Sequence, residues 1–209
     1  MVRKEFSENQ YQDPAMTIST IMHATASDEM AVVDVVTLAF STDPVARWLY
    51  PSPHQYLTNM PPFVRAYGGN AFVYGSAYYL DGYAGAALWL PPDVHPDEDV
   101  LLPMIQRTVS ERTQGDLFVV FEQMGAYHPQ KPYWYLPIIA VDPTHQNQGY
   151  GSALLQHFLL TCDRDQTQAY LESSNPQNIS LYKRHGFELL GTIQVGTSPL
   201  VFPMLRKPR

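Results

Sequence analysis

One cysteine in 209 residues leaves no thiol to pair with inside the chain, so a disulfide framework is excluded. Cys162 lies in the apolar run Leu159-Leu160-Thr161-Cys162, where a buried packing role is expected. Positive charge is also scarce. With 13 Lys+Arg against 20 Asp+Glu and a formal charge of −7, nothing favours nucleic acid or an anionic membrane as a partner, and a cationic guest fits the sign better. No window approaches the run of about 18 apolar residues that a membrane helix needs, and the opening residues lack the apolar core of a secretory signal. The expectation is a soluble, cytoplasmic protein, consistent with the low thiol content. The seven histidines (23, 54, 95, 128, 145, 157 and 185) show no HExxH and no clustered Cys/His spacing, so no metal site is expected.

What is present is a chain 45% hydrophobic, ample for one core. Residues 1–15 are expected to be a disordered N-terminal segment and 16–209 a single domain. "MTISTIMHA", from Met16 to Ala24, alternates as a strand, and "SDEMAVVDVVTLAF" carries a cap residue, acidic first-turn residues and helically spaced apolars. Pro44, Pro51 and Pro53 break the next stretch into a turn with irregular or short helical structure. Residues 70–92 hold two aromatic-rich strand-like runs separated around Asp81-Gly82, a hairpin signal. Residues 93–129 open polar and continue as two helical runs divided around Gly115. "PYWYLPIIAVDP" is a strand with Pro137 inside it; proline cannot donate to a ladder, so the strand is bulged or unpaired there. A helix, "SALLQHFLLTCDR", a strand, "QAYLESS", a second helix, "NPQNISLYKRHGF", and two closing runs follow. Strand, helix, strand at this spacing implies a parallel pair with a crossover helix.

Between that strand and the crossover helix stands Gln146-Asn147-Gln148-Gly149-Tyr150-Gly151-Ser152. A helix start leaves backbone N–H groups without intrahelical partners, and with the helix dipole they form an anion site that glycines leave open to close approach. A tight turn alone would also account for Gly149 and Gly151. A P-loop is excluded because no lysine follows the glycines, and a dinucleotide fingerprint because Leu154 occupies the third glycine position.

The pattern Gln146-x-x-Gly149-x-Gly151 between strand and amphipathic helix, followed by "LYKRHGFE", resembles the GCN5-related N-acetyltransferase (GNAT) family, whose pyrophosphate loop reads [RQ]-x-x-G-x-[GA]. The resemblance covers residues 133–190. "AFSTDPVARWLYP", "GAALWLPP" and "YWYLPIIAVDP" further resemble the puromycin-type acetyltransferase subgroup. The fold implied is mixed α/β: a twisted, mainly antiparallel central sheet flanked by helices, with a splayed parallel strand pair holding acetyl-CoA as cosubstrate. Residues 16–132 would form the acceptor side and 133–190 the acetyl-CoA-binding core. Ile139, Ala140 and Val141 would lie along the pantetheine arm, and Gln146, Asn147, Gln148, Gly149, Tyr150, Gly151 and Ser152 would surround the pyrophosphate, with Tyr150 packing on the cofactor. Asn175 and Asn178, at the start of the second helix, are further candidates, although Asn175 before Pro176 is equally a helix cap.

The implied reaction is acetyl transfer to an amine, of a small molecule, by direct attack in a ternary complex. The resemblance assigns the departing thiolate to Tyr182, which otherwise reads as a core aromatic. With reference pKa values of about 10 for tyrosine and 8.5 for a thiol, full proton delivery is uphill by roughly 2 kcal/mol, so hydrogen bonding in the transition state is the better description. Glu172, Glu122 and His128 are all candidate bases, and a water chain would also serve. A non-catalytic acyl-CoA-binding or regulatory module is the alternative function. Assembly stays open, with a homodimer the commonest closed form.

Overall fold

A computed structural model of the chain describes residues 20–209; the expected disordered segment and the first residues of the expected opening strand lie outside them. The described part of that strand is β1 (Ile21–His23). It is followed by α1 (Glu29–Ala39), α2 (Pro44–Leu49), α3 (Pro53–Gly68), α4 (Asn70–Val73), β2 (Ala77–Leu80), β3 (Gly85–Leu90), α5 (Glu98–Thr108) and α6 (Glu111–Tyr127). The remaining elements are β4 (Tyr133–Val141), α7 (Tyr150–Arg164), β5 (Gln168–Ser173), α8 (Ile179–Arg184), β6 (Glu188–Leu189) and β7 (Phe202–Arg206).

Three boundaries differ from the sequence expectation, each for a local reason. The proline-broken region contains a helix of 16 residues, α3, started by a capping box between Ser52 and Gln55 with Pro53 in the first turn. Its inward residues Tyr56, Met60 and Val64 recur every four positions. Asn70–Val73 is helical rather than the start of a strand. The division between α5 and α6 falls at Val109-Ser110, where Ser110 caps the second helix, and α6 runs straight through Gly115.

The seven strands form one sheet in the order β1-β2-β3-β4-β5-β7-β6, antiparallel throughout except for β4 and β5. The hairpin signal at Asp81-Gly82 joins β2 to β3 as expected. Both faces of the sheet are covered. One side packs Leu88, Leu90, Ile138 and Ala140 against α1, α3 and α5; the other packs Trp89, Leu136, Ala169 and Leu171 against α7 and α8. Every residue of β3 is therefore buried, with Trp89 stacked on Phe158 of α7.

Pro137 does what its missing N–H predicts. The register of β3 against β4 shifts between Leu88, opposite Ile138, and Leu90, opposite Tyr135, so two residues of β4 face one of β3. This bulge resets the alternation. Leu136 and Ile138, two apart, face opposite cores, and Ile139 returns to the side of Leu136. On its other edge β4 pairs with β5 only at Tyr133, Trp134 and Tyr135; beyond Tyr135–Tyr170 the two parallel strands separate.

Candidate active site

The gap between the separating strands is the wall of a cavity of about 480 Å³. Ile139, Ala140 and Val141 line it from β4, and Leu171, Glu172 and Ser173 from β5. A strand edge without a neighbour leaves backbone donors and acceptors for an extended ligand, as in strand addition.

At the far end of β4 the chain turns through Asp142, whose carboxylate accepts from the Thr144 N–H at 2.7 Å and from the Thr144 hydroxyl. Those bonds hold its pKa below the usual carboxylate value. Gln146 donates its side-chain amide to the Val141 carbonyl at 3.1 Å, tying the loop back to the strand. Asn147 and Gly149 then take positive φ, 62° and 87°. At Gly149 the left-handed conformation is what makes glycine necessary, since no atom would obstruct a Cβ there. Gly151 differs: its φ is not left-handed, and a Cβ there would meet Leu181 and Val141 at 3.4 and 3.7 Å, ordinary contact distances, so the helix start tolerates a side chain at this position. Gly149 is the N-cap of α7 and offers no side-chain acceptor, and Gly149, Tyr150, Gly151 and Ser152, at this start of a 15-residue helix, line the cavity. The Ser152 hydroxyl lies 2.7 Å from His185 Nε2, whose pKa is lowered by burial and by Arg184, Arg206 and Arg209.

The opposite wall comes from α8 and the turn before it. Asn175 caps that turn by accepting from the Gln177 N–H at 3.0 Å, and both Asn175 and Asn178 line the cavity. Tyr182 is buried, lines the same space and meets Phe187 edge to face. Burial, with the nearby charge of Asp43, pushes its phenol well above the ordinary tyrosine value.

A second, smaller cavity of about 100 Å³ adjoins the first, with Phe40, Asp43, Pro137, Glu172 and Ser174 lining both. Glu172 has its side chain only 4% exposed and lies 3.1 Å from His128 Nε2, whose other ring nitrogen meets the Tyr133 hydroxyl at 2.7 Å. The His128 side chain is 26% exposed, so this chain of groups runs from the interior towards solvent. Tyr67 and Tyr135 share a hydrogen bond of 2.7 Å alongside, and burial together with the Glu172 charge raises both phenols.

Of the sequence candidates, Ile139, Ala140, Val141, Gln146, Asn147, Gly149, Tyr150, Gly151, Ser152, Glu172, Asn175, Asn178 and Tyr182 converge on the larger cavity. Gln148 does not line it, and its side chain bonds the Thr144 carbonyl instead. Glu122 is the clear departure. Leu117, Val120, Phe121 and Met124 form the inward stripe of α6, which turns Glu122 to the exposed face, away from both cavities. Asp43 and Ser174 were missed. Asp43 caps α2, accepting from Val45 and Ala46, and receives the Ser174 hydroxyl. Its signal was legible as Asp-Pro, a helix-start pair, but nothing local says that the cap faces a cleft. Among the described residues no group of three or more His, Cys, Asp or Glu is placed to hold a metal ion, and no helix is long and apolar enough to cross a membrane.

An open, mainly antiparallel sheet with one splayed parallel pair, a glycine loop at the crossover-helix start and a tyrosine across the gap define the acetyltransferase class of fold. Residues 114–189 match the acetyltransferase (GNAT) domain model, and the fold around them is that of the same acetyltransferases. The structure described as histone acetyltransferase HPA2 and related acetyltransferase from Corynebacterium glutamicum is 26% identical, with 91% of this chain and 97% of that one covered and a TM-score of 0.67. Arylalkylamine N-acetyltransferase 2 from Aedes aegypti is 10% identical over 91% and 99% of the two chains, with a TM-score of 0.63. An agmatine N-acetyltransferase, also 10% identical over 91% and 99%, has a TM-score of 0.64; at such identity these two likenesses concern the fold alone.

Proposed function

We propose that this chain transfers the acetyl group of acetyl-CoA to a primary amine of a small molecule by direct attack in a ternary complex, in the cytoplasm. The observation that carries the reading is the continuity of one cavity from the start of α7, along the edge of β4 that β5 leaves, to Tyr182. The N–H groups at that helix start suit the pyrophosphate, with Gln146, Asn147, Gly149, Tyr150, Gly151 and Ser152 around it. Ile139, Ala140 and Val141 offer backbone partners to the pantetheine amides, with Asn175 and Asn178 facing them across the gap. Residues 133–190 would thus serve the cosubstrate and 16–132 most of the acceptor.

Acetyl-CoA supplies the activated thioester. Glu172, at the junction of the two cavities, accepts the proton that the amine loses, and His128 passes it outward. As the new C–N bond forms and the C–S bond breaks, the Tyr182 hydroxyl donates a hydrogen bond to the leaving sulfur. Its raised pKa keeps it a donor rather than a phenolate at neutral pH. Cys162 is unsuited to a covalent route, being buried with its thiol pushed up to about 12.

Calorimetric titration with acetyl-CoA tests the reading. Micromolar binding is expected for the native chain and none for Gly151→Glu, which places a carboxylate where the pyrophosphate would sit yet suits the first turn of a helix. Unaltered binding by the variant, or no binding by the native chain, would overturn it. Thiol release with an amine panel then separates an enzyme from a binding module.

A further inference from the structure

The smaller cavity reads as the acceptor subsite, and its lining is selective. Trp48, Phe63, Leu117, Phe121, Met124 and Val201 make most of it apolar. The only charged residues among those lining it are Asp43 and Glu172, both acidic and both at the rim shared with the larger cavity. No Lys, Arg or His is among the lining residues, His128 meeting Glu172 from outside them, and no further acidic residue lines the cavity. An enclosed cavity of about 150 Å³ accommodates benzene, so about 100 Å³ holds a short branched chain, or a single ring only if part of it sits in the open mouth.

We propose that the acceptor is a monoamine on a compact apolar body, a single aromatic ring or a branched alkyl group, seated in this cavity with its ammonium between Asp43 and Glu172. The proposal rests on the acetyl-transfer reading and specifies its substrate class. The ammonium meets Glu172 as the group that takes its proton, while Asp43 supplies the charge that draws a cation to the rim. Burial holds the Asp43 carboxyl above its usual value, and a cation beside it would favour ionisation. Diamines, polyamines and guanidino amines would place a second cation against the aromatic wall, at a desolvation cost that nothing in the lining offsets. A peptide N-terminus would bring backbone amides to a surface with few hydrogen-bonding partners.

The test is thiol release at fixed acetyl-CoA with 2-phenylethylamine, benzylamine and isopentylamine against 1,5-diaminopentane, spermidine, agmatine and an alanine-led tripeptide, beside a direct acetyl-CoA titration. The monoamines are expected to exceed the others at least tenfold in kcat/KM. Asp43→Asn keeps a good helix cap and is expected to raise the monoamine KM about tenfold with acetyl-CoA affinity unchanged; Met124→Trp, which fills the cavity, is expected to lower kcat/KM for 2-phenylethylamine by a similar factor. A preference for the dications or the peptide overturns the proposal. So does acetyl-CoA binding without turnover of any monoamine, or indifference of KM to both substitutions. Absence of acetyl-CoA binding is a different result, because it removes the acetyl-transfer reading and this proposal with it.

Discussion

On the acetyl-transfer reading, the two residues that divide the chemistry, Glu172 and Tyr182, take their roles from their surroundings more than from their identity. Replacing Glu172 by Gln keeps its size and, on that reading, leaves the amine without its proton acceptor. Single-turnover and steady-state kinetics are expected to show kcat falling about 10²–10⁴-fold, the usual range for a general base. Tyr182→Phe would on the same reading remove only a hydrogen bond to the departing sulfur, so a smaller loss, about tenfold or somewhat more, is expected with amine KM nearly unchanged. Because the Tyr182 phenol is raised by burial, the native protein should, if it turns over as proposed, also show no loss of kcat from this group as pH rises through about 10, where an ordinary tyrosine ionises. His185 carries a pH effect on stability instead. Its folded pKa lies below the reference value of 6.5, so the unfolded chain takes up the proton first. Stability is then complete above about pH 6.5 and falls as pH drops towards the folded value. Denaturant titrations between pH 7.5 and 5 should show that slope, and His185→Gln should flatten it.

At the level of elements, the outcomes separate by how local the signal is. The glycine loop was legible because a strand, a glycine pair and an amphipathic helix are each local, and Pro137 announced the bulge because a missing N–H is a property of one residue. The long α3 was not legible: Pro61 and Pro62 lie inside it, and its buried stripe of Tyr56, Met60 and Val64 is sparse. Glu122 was an eligible base until the phase of α6 turned it outward, and helix phase depends on packing partners distant in sequence. The segment following β6 shows a further dependence of this kind. Ser198, Pro199 and Val201 line the smaller cavity, and the Asp116 carboxylate of α6 holds them in place, accepting from the Thr197 N–H at 2.9 Å and hydroxyl at 3.1 Å. Gly196, at φ 52°, packs against the same carboxylate, leaving no room for a Cβ. Asp116→Ala is expected to raise the amine KM severalfold and leave acetyl-CoA affinity unchanged, measured by initial rates and by titration; an unchanged KM would mean that the segment does not shape the acceptor site.

Across the whole molecule, the mixed sheet and its parallel pair follow from a countable alternation of strands and helices, whereas the meeting of the two cavities does not. Asp43 and Glu172 are far apart in the chain and share a rim only because α2 is folded against the mouth of the β4–β5 gap. The sheet's centre is correspondingly intolerant. Trp89, fully buried between its strand neighbours and Phe158, is expected to lose about 3–5 kcal/mol on truncation to Ala, read as a lower denaturant midpoint.

The parting of β4 from β5 also means that the protein is built one rung short. A ligand lying along that edge would complete the sheet, and whatever binds only the folded form shifts the folding equilibrium towards it. At a hundredfold excess over Kd the gain is about 2.7 kcal/mol, which for a chain of this size raises the melting temperature by roughly 5–10 °C. On the acetyl-transfer reading, the cosubstrate is then a finishing piece of the architecture as well as a reagent, and the survival of the protein in a cell would rise and fall with the supply of acetyl-CoA.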